Sequence, residues 1–252
     1  MSLTYSTLVE RLRAAGCVFA EDEARLLLDA GFPPLELDAR VARRVAGLPL
    51  EQVLGWAEFA GLRIALDPGV FVPRPRTAFL ASLAAAWAGG IVVDLCCGSG
   101  AVGAAIVAAR PETTLYAVDI APAAAACARR NVSGQVYEGD LYDPLPTGIR
   151  GRVGVLVANA PYVPTDAIGL MPPEARDHEP RVALDGGPDG LDVARRVITE
   201  APKWLEPAGH LLIETSQRQA PTLAGLMSAG GLTARTEHDD ELGATVVVGT
   251  PL

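Results

Sequence analysis

Positive charge is scarce in this 252-residue chain: Lys and Arg number 21 against 30 Asp and Glu, a net charge of -9, and Lys203 is the only lysine. That balance argues against general affinity for nucleic acid, where clustered cations neutralise phosphates. No apolar run approaches the ~18 residues needed to cross a bilayer, so no membrane span is expected. The opening M-S-L-T-Y-S-T-L-V-E-R-L lacks a basic start followed by an apolar stretch. It therefore does not read as a secretory signal, and a cytoplasmic location is expected. Cysteine is sparse as well. Cys17, Cys96, Cys97 and Cys127 include no pair with zinc-ligand spacing, so no metal is expected. The adjacent Cys96 and Cys97 read as small residues in a tight turn. What remains is 50% hydrophobic and 20% charged, the composition of a soluble globular protein.

The chain changes character along its length. Residues 4–15 set Leu8, Val9, Leu12 and Ala15 at helical spacing and stop at Gly16. Residues 21–30 begin with Glu21, Asp22 and Glu23, which suit a helix N-terminus. A third helix is expected over about 35–46, ending at Gly47. Residues 1–56 are thus a small helical domain. Alternation of Leu62, Ile64 and Leu66, then Asp67-Pro68-Gly69 and Val70 to Val72, predicts a β-hairpin, which makes 57–76 a connector.

From residue 77 to 252, short β-branched runs alternate with helical segments. Strong runs lie at 91–95, 114–118, 153–158, 209–214 and 245–249, and weaker ones near 135–137 and 232–236. This pattern predicts a mostly parallel sheet covered on both faces. Only a turn around Asp239 to Gly243 separates the last two strands, so they should be antiparallel. Seven strands ending in an antiparallel pair form the sheet of class I methyltransferases, a Rossmann-like α/β fold. Residues 164–190 are rich in Pro, Gly and charge with little periodicity, and read as a long functional loop.

The first strand of this second domain runs into D-L-C-C-G-S-G-A-V-G. Gly98, Gly100 and Gly103 fit G-x-G-x-x-G, which lets a backbone turn tightly and approach a ligand. The pattern alone also fits NAD or FAD. Asp94, four residues earlier, suits the cationic amino group of S-adenosylmethionine, whereas beside a pyrophosphate it would repel. Asp119 ends the next strand, where an acid can accept both ribose hydroxyls or cap the helix that follows. Asp140, after the third strand, can take an adenine amino group or cap a turn.

The fourth strand runs into Asn159-Ala160-Pro161-Tyr162. N-P-P-Y at this place marks methyltransferases that act on planar nitrogens. The chain resembles the release-factor glutamine methyltransferase family (protein N5-glutamine methyltransferases) over nearly its whole length. The resemblance includes R-R-V-A-G-L-P-L-E-Q-V-L-G-W-A-E-F-A-G-L, F-V-P-R-P-R-T, D-L-C-C-G-S-G-A-V-G, N-A-P-Y-V-P, E-P-R-V-A-L-D-G-G-P-D-G-L-D and P-A-G-H-L-L-I-E. It implies methyl transfer from S-adenosylmethionine to a glutamine side-chain amide, in the Gly-Gly-Gln loop of class 1 peptide-chain release factors. It further implies that the Asn159 side-chain oxygen and the Ala160 carbonyl hold the two amide hydrogens, with Pro161 completing the turn and Tyr162 packing on the amide plane. Such holding has a physical reason. The amide lone pair is delocalised, so two acceptors must fix the nitrogen for attack.

The chain departs from the family at two places. Ala160 replaces the first proline of N-P-P-Y, though Pro161 still biases it toward extended geometry. Arg76 and Ala78 replace the two acids of P-R-P-E-T-E. These departures leave two other readings open: an adenine-N6 methyltransferase on DNA or RNA, and a non-catalytic cofactor-binding paralogue. His178 reads as a solvated loop residue, and Glu179 as loop structure near the substrate entrance. Glu214 is as suited to core-edge packing as to function.

Overall fold

The computed structural model describes residues 4–252. Three helices open the chain: α1 (Tyr5–Ala14), α2 (Ala20–Asp29) and α3 (Pro34–Val45). The Thr4 hydroxyl caps α1 by accepting from the Thr7 N–H. The apolar stripes of these helices meet in one core containing Leu8, Leu12, Leu27 and Val41. A short helix, α4 (Leu50–Leu54), follows and ends at the left-handed Gly55.

A two-stranded hairpin comes next, β1 (Trp56–Phe59) and β2 (Leu62–Ala65). Its turn is Ala60-Gly61, not the Asp67-Pro68-Gly69 that the sequence suggests. Ala60 and Gly61 both have positive φ, 49° and 77°, the geometry that matches the twist of a two-residue hairpin. Val70 and Val72 form no strand. They bury themselves with Ala57 and Leu66 against α7, introduced below.

The remainder alternates helix and strand: α5 (Ala78–Trp87), β3 (Ile91–Leu95), α6 (Ala101–Ala109), β4 (Thr114–Asp119), α7 (Pro122–Asn131), β5 (Gln135–Glu138) and β6 (Val153–Ala158). After these come α8 (Pro173–His178), α9 (Asp192–Glu200), β7 (Leu205–Glu214), α10 (Ala220–Ala229), β8 (Leu232–Asp239) and β9 (Ala244–Pro251). The sheet order is β5-β4-β3-β6-β7-β9-β8, parallel except for the β7–β9 and β9–β8 pairings. It is the seven-stranded sheet of a Rossmann-like methyltransferase fold.

Side chains alternate between two cores. Val93, Leu95, Leu156, Ile213 and Val247 face α9 and α10. Val92, Val155, Val157, Leu212 and Val246 face α5 and α6. With both faces covered, the strands read as unbroken apolar runs.

Residues 164–190 are less loop-like than their composition suggests. They form a 3-10 segment (Thr165–Leu170), α8 and a further 3-10 turn (Arg181–Ala183). A parallel bridge, Val163 to Asp185, closes the segment on itself. Arg44 of α3 pairs with Glu23 of α2 at 2.6 Å and with Glu174 of α8 at 2.7 Å, tying the front helices to it.

Candidate active site

The order of the strands reverses direction at β3, which lies between β4 and β6. Open α/β sheets bind ligands at such a point, outside the carboxyl ends of the strands. A cavity of about 330 Å³ lies there. Asp94, Gly98, Asp119, Asp140, Asn159 and Tyr162 all line it.

The turn after β3 is built on positive φ at Cys96 (56°), Gly98 (55°) and Gly100 (79°). The Gly98 N–H donates to Asp119 Oδ2 at 2.8 Å, and the Ala121 N–H donates to Oδ1 at 2.9 Å. Asp119 thus ties the turn after β3 to the chain that leads into α7, while α7 itself has no side-chain cap, and Asp119 lines the cavity. Gly100 and Gly103 do not line the cavity. A Cβ on Gly100 would lie 2.9 Å from Val132, and one on Gly103 would lie 2.8 Å from Leu115 and 3.1 Å from Asp94 Oδ2. Gly100 thus allows close packing of the turn on α7, and Gly103 that of α6 on β4 and Asp94.

Asp94 is 2% exposed and accepts one backbone bond, from the Gly103 N–H at 3.0 Å. Burial pushes its carboxyl up to about 7; the Gly103 bond opposes this and the nearby Asp119 charge adds to it. Burial likewise raises Asp119 against its two backbone donors. A buried carboxylate with so little compensation is a ready site for a cation. Asp140 Oδ2 accepts from Arg196 at 2.7 Å, and both side chains line the cavity.

At the end of β6, the Asn159 amide nitrogen donates to the Thr77 hydroxyl at 3.4 Å. Among the described residues no donor reaches the Asn159 side-chain oxygen or the Ala160 carbonyl. Both residues line the cavity. Tyr162 stands next to them, its hydroxyl accepting from Arg76 at 2.6 Å.

Several supporting residues escape a reading of the sequence. Gln219, before α10, donates through Nε2 to the Tyr162 and Asp189 carbonyls, each at 3.0 Å. The segment Gly186-Gly187-Pro188-Asp189-Gly190 packs its backbone directly on this turn. A Cβ on Gly186 would lie 2.6 Å from the Pro161 carbonyl oxygen, and one on Gly190 would lie 2.3 Å from that of Tyr162. Glu179 is no mere loop residue. It is buried and accepts from the Val72 N–H at 3.1 Å and from Arg74 at 2.5 Å. His178 does not line the cavity and sits against Gly47 of the front helices. Glu214 is 2% exposed, with Oε1 3.3 Å from Arg76 and Oε2 unpartnered.

A family model described as "Methyltransferase small domain" matches residues 61–169. A release factor glutamine methyltransferase of Deinococcus radiodurans is 36% identical over 91% of this chain and 90% of its own. One from Geobacter sulfurreducens is 37% identical over 83% of this chain and 75% of its own. Among solved structures, a methyltransferase from Pyrococcus furiosus shares the fold, with TM-score 0.57 and 14% identity over 84% of this chain and 96% of that one. With 36% identity to a relative over about nine tenths of both chains, the chain belongs to the release factor glutamine methyltransferase family.

Proposed function

We propose that the chain transfers the methyl group of S-adenosylmethionine to the side-chain amide nitrogen of a glutamine in a class 1 peptide-chain release factor. The observation that carries this reading is the pair of free acceptors at Asn159 and Ala160, beside a buried carboxylate in the same cavity. When bound, the cofactor supplies a methyl group on a sulfonium, which is already a good leaving group.

The residues fit that cofactor. Asp94 takes the cationic amino group, Asp119 the ribose hydroxyls and Asp140, steadied by Arg196, the adenine amino group. Thr77 commits the Asn159 amide nitrogen, so its oxygen is left for an N–H of the substrate. The Ala160 carbonyl takes the second N–H. Tyr162 lies on the amide plane. Fixing the nitrogen in this way is catalysis by positioning and preorganised polarity. The proton released after transfer passes to water.

The acidic balance of the chain favours a protein over nucleic acid as substrate. Among the described residues no helix is long and apolar enough to cross a membrane.

The test is transfer of labelled methyl to a purified class 1 release factor, with the loop glutamine changed to alanine as control. Glutamine-dependent label is the expected result. No label, with S-adenosylhomocysteine still bound, would remove the release factor as substrate.

A further inference from the structure

The turn between β3 and α6 is gripped by two side chains at adjacent residues. Asp119, which lines the cavity, takes the Gly98 N–H. The next residue, Ser99, gives its carbonyl to Asn131 Nδ2 at 2.8 Å. Ser99 lines the cavity, whereas Asn131, the last residue of α7, does not.

Asn131 has a second hold. Its Oδ1 accepts from the Ala65 N–H at 2.8 Å, and its Nδ2 donates to the Ala65 carbonyl at 2.8 Å. The side-chain amide thus pairs with the last residue of β2 as a neighbouring strand would. These partners fix which way the amide faces. Only Oδ1 can serve the Ala65 N–H, so the two Nδ2 hydrogens go to carbonyls, one of Ala65 and one of Ser99. Beyond Ala65 the connector runs on through Phe71, Arg74 and Thr77, which line the cavity. One planar group is therefore bonded both to the G-S-G turn and to the connector, two parts of the cavity wall that lie far apart in sequence.

We propose that Asn131 is a positioning residue for the cofactor. By tying the Ser99 carbonyl to Ala65, it sets the G-S-G turn at the distance from the connector at which the cavity accepts S-adenosylmethionine. Two wall segments held in place before the ligand arrives cost nothing to order when it binds. Asn131 acts through Ser99 and Gly98, and its role is the same whichever amide accepts the methyl group.

The test is the affinity of the purified protein for S-adenosylhomocysteine, by titration calorimetry, with Tm measured alongside. Asn131→Ala should weaken binding about tenfold, the scale of a modest misplacement within a site. Cys127→Ala is the control. It removes another bond between α7 and Ala65, from Cys127 Sγ to the Ala65 carbonyl at 3.2 Å, and leaves the Ser99 bond in place. It should lower Tm and keep the affinity. Asn131→Asp separates bonding from packing, because its carboxylate donates to neither carbonyl but regains one donor when protonated. Its loss of affinity, relative to the unmodified protein at the same pH, should shrink as pH falls from about 8 toward about 5, since a carboxylate facing two carbonyls takes up its proton above its ordinary range. If Asn131→Ala does not fold, that pH course decides. Unchanged affinity in Asn131→Ala, an equal loss in Cys127→Ala, or a loss in Asn131→Asp that stays flat with pH would each overturn the role.

Discussion

The Arg76 guanidinium donates to the Tyr162 hydroxyl at 2.6 Å and reaches the Glu214 carboxylate at 3.3 Å. The arginine thus links the tyrosine of the N-A-P-Y turn to a buried acid at the end of β7. Burial pushes the Glu214 carboxyl up, while Thr77 and Arg76 pull it back. Arg76 is the cation that makes the buried acid tolerable.

Arg76→Ala should therefore lower kcat, because it frees the Tyr162 ring, with a loss of about tenfold as expected for modest misplacement of a positioning group. Tyr162→Phe should give a similar loss. The double variant should be no worse than Arg76→Ala alone, which already removes the Tyr162 bond along with the Glu214 pair. Additive losses in steady-state kinetics would show that the two residues act separately.

Asn159→Ala should cut turnover by at least about 10²-fold, the scale of one preorganised polar contact. Its affinity for S-adenosylhomocysteine should hold. Asp119→Ala should do the reverse, weakening the cofactor first. Titration calorimetry alongside methyl transfer separates the two. Unchanged turnover in Asn159→Ala would remove it from the site.

Cofactor binding is expected to depend on pH through Asp94. Its carboxyl must be ionised to hold a cation, and in the folded protein that happens only around pH 7. Affinity for S-adenosylhomocysteine, which keeps the ammonium group, should rise as pH rises through about 7. Stability should move the other way. The unfolded chain loses this proton near its ordinary value of 3.8, whereas the folded protein keeps it up to about 7. Across that window the folded state binds more protons, so raising the pH disfavours folding. Asp94→Asn should raise Tm at pH 8 and abolish cofactor binding. A lower Tm in that variant would contradict the assignment.

Gln219→Ala should remove two bonds from a side chain that is 8% exposed. A stability loss of about 1–3 kcal/mol is expected from the unpaired carbonyls. The Tyr162 carbonyl would shift, so kcat should fall while cofactor affinity holds. Denaturant melts and kinetics on the same preparation check both.

The central strands are legible in the sequence because each is a short apolar run buried on both faces, whereas the edge strands β5 and β8 are largely exposed and give the weaker runs. Asp94, Asp119 and Asn159 are legible because each ends such a run. The hairpin turn is not. Asp67-Pro68-Gly69 does turn, with the Val70 N–H donating to the Asp67 carbonyl at 3.2 Å, but it joins no strands; the hairpin turns at Ala60-Gly61, and an alanine gives no sign of positive φ. Gln219 and Thr77 are invisible for another reason. They act on the N-A-P-Y turn from 57 and 82 residues away, and nothing local announces it.

The glycines at 186, 187 and 190 touch no reacting atom, yet none can take a methyl group. At 187 a Cβ would meet Asp192, and at 186 and 190 it would meet the backbone of Pro161 and Tyr162. An alignment of relatives is expected to keep glycine at these columns as strictly as any residue of the site. Invariance there records a spacing between two stretches of main chain. A survey that ranks positions by invariance alone will count spacers among the chemical groups.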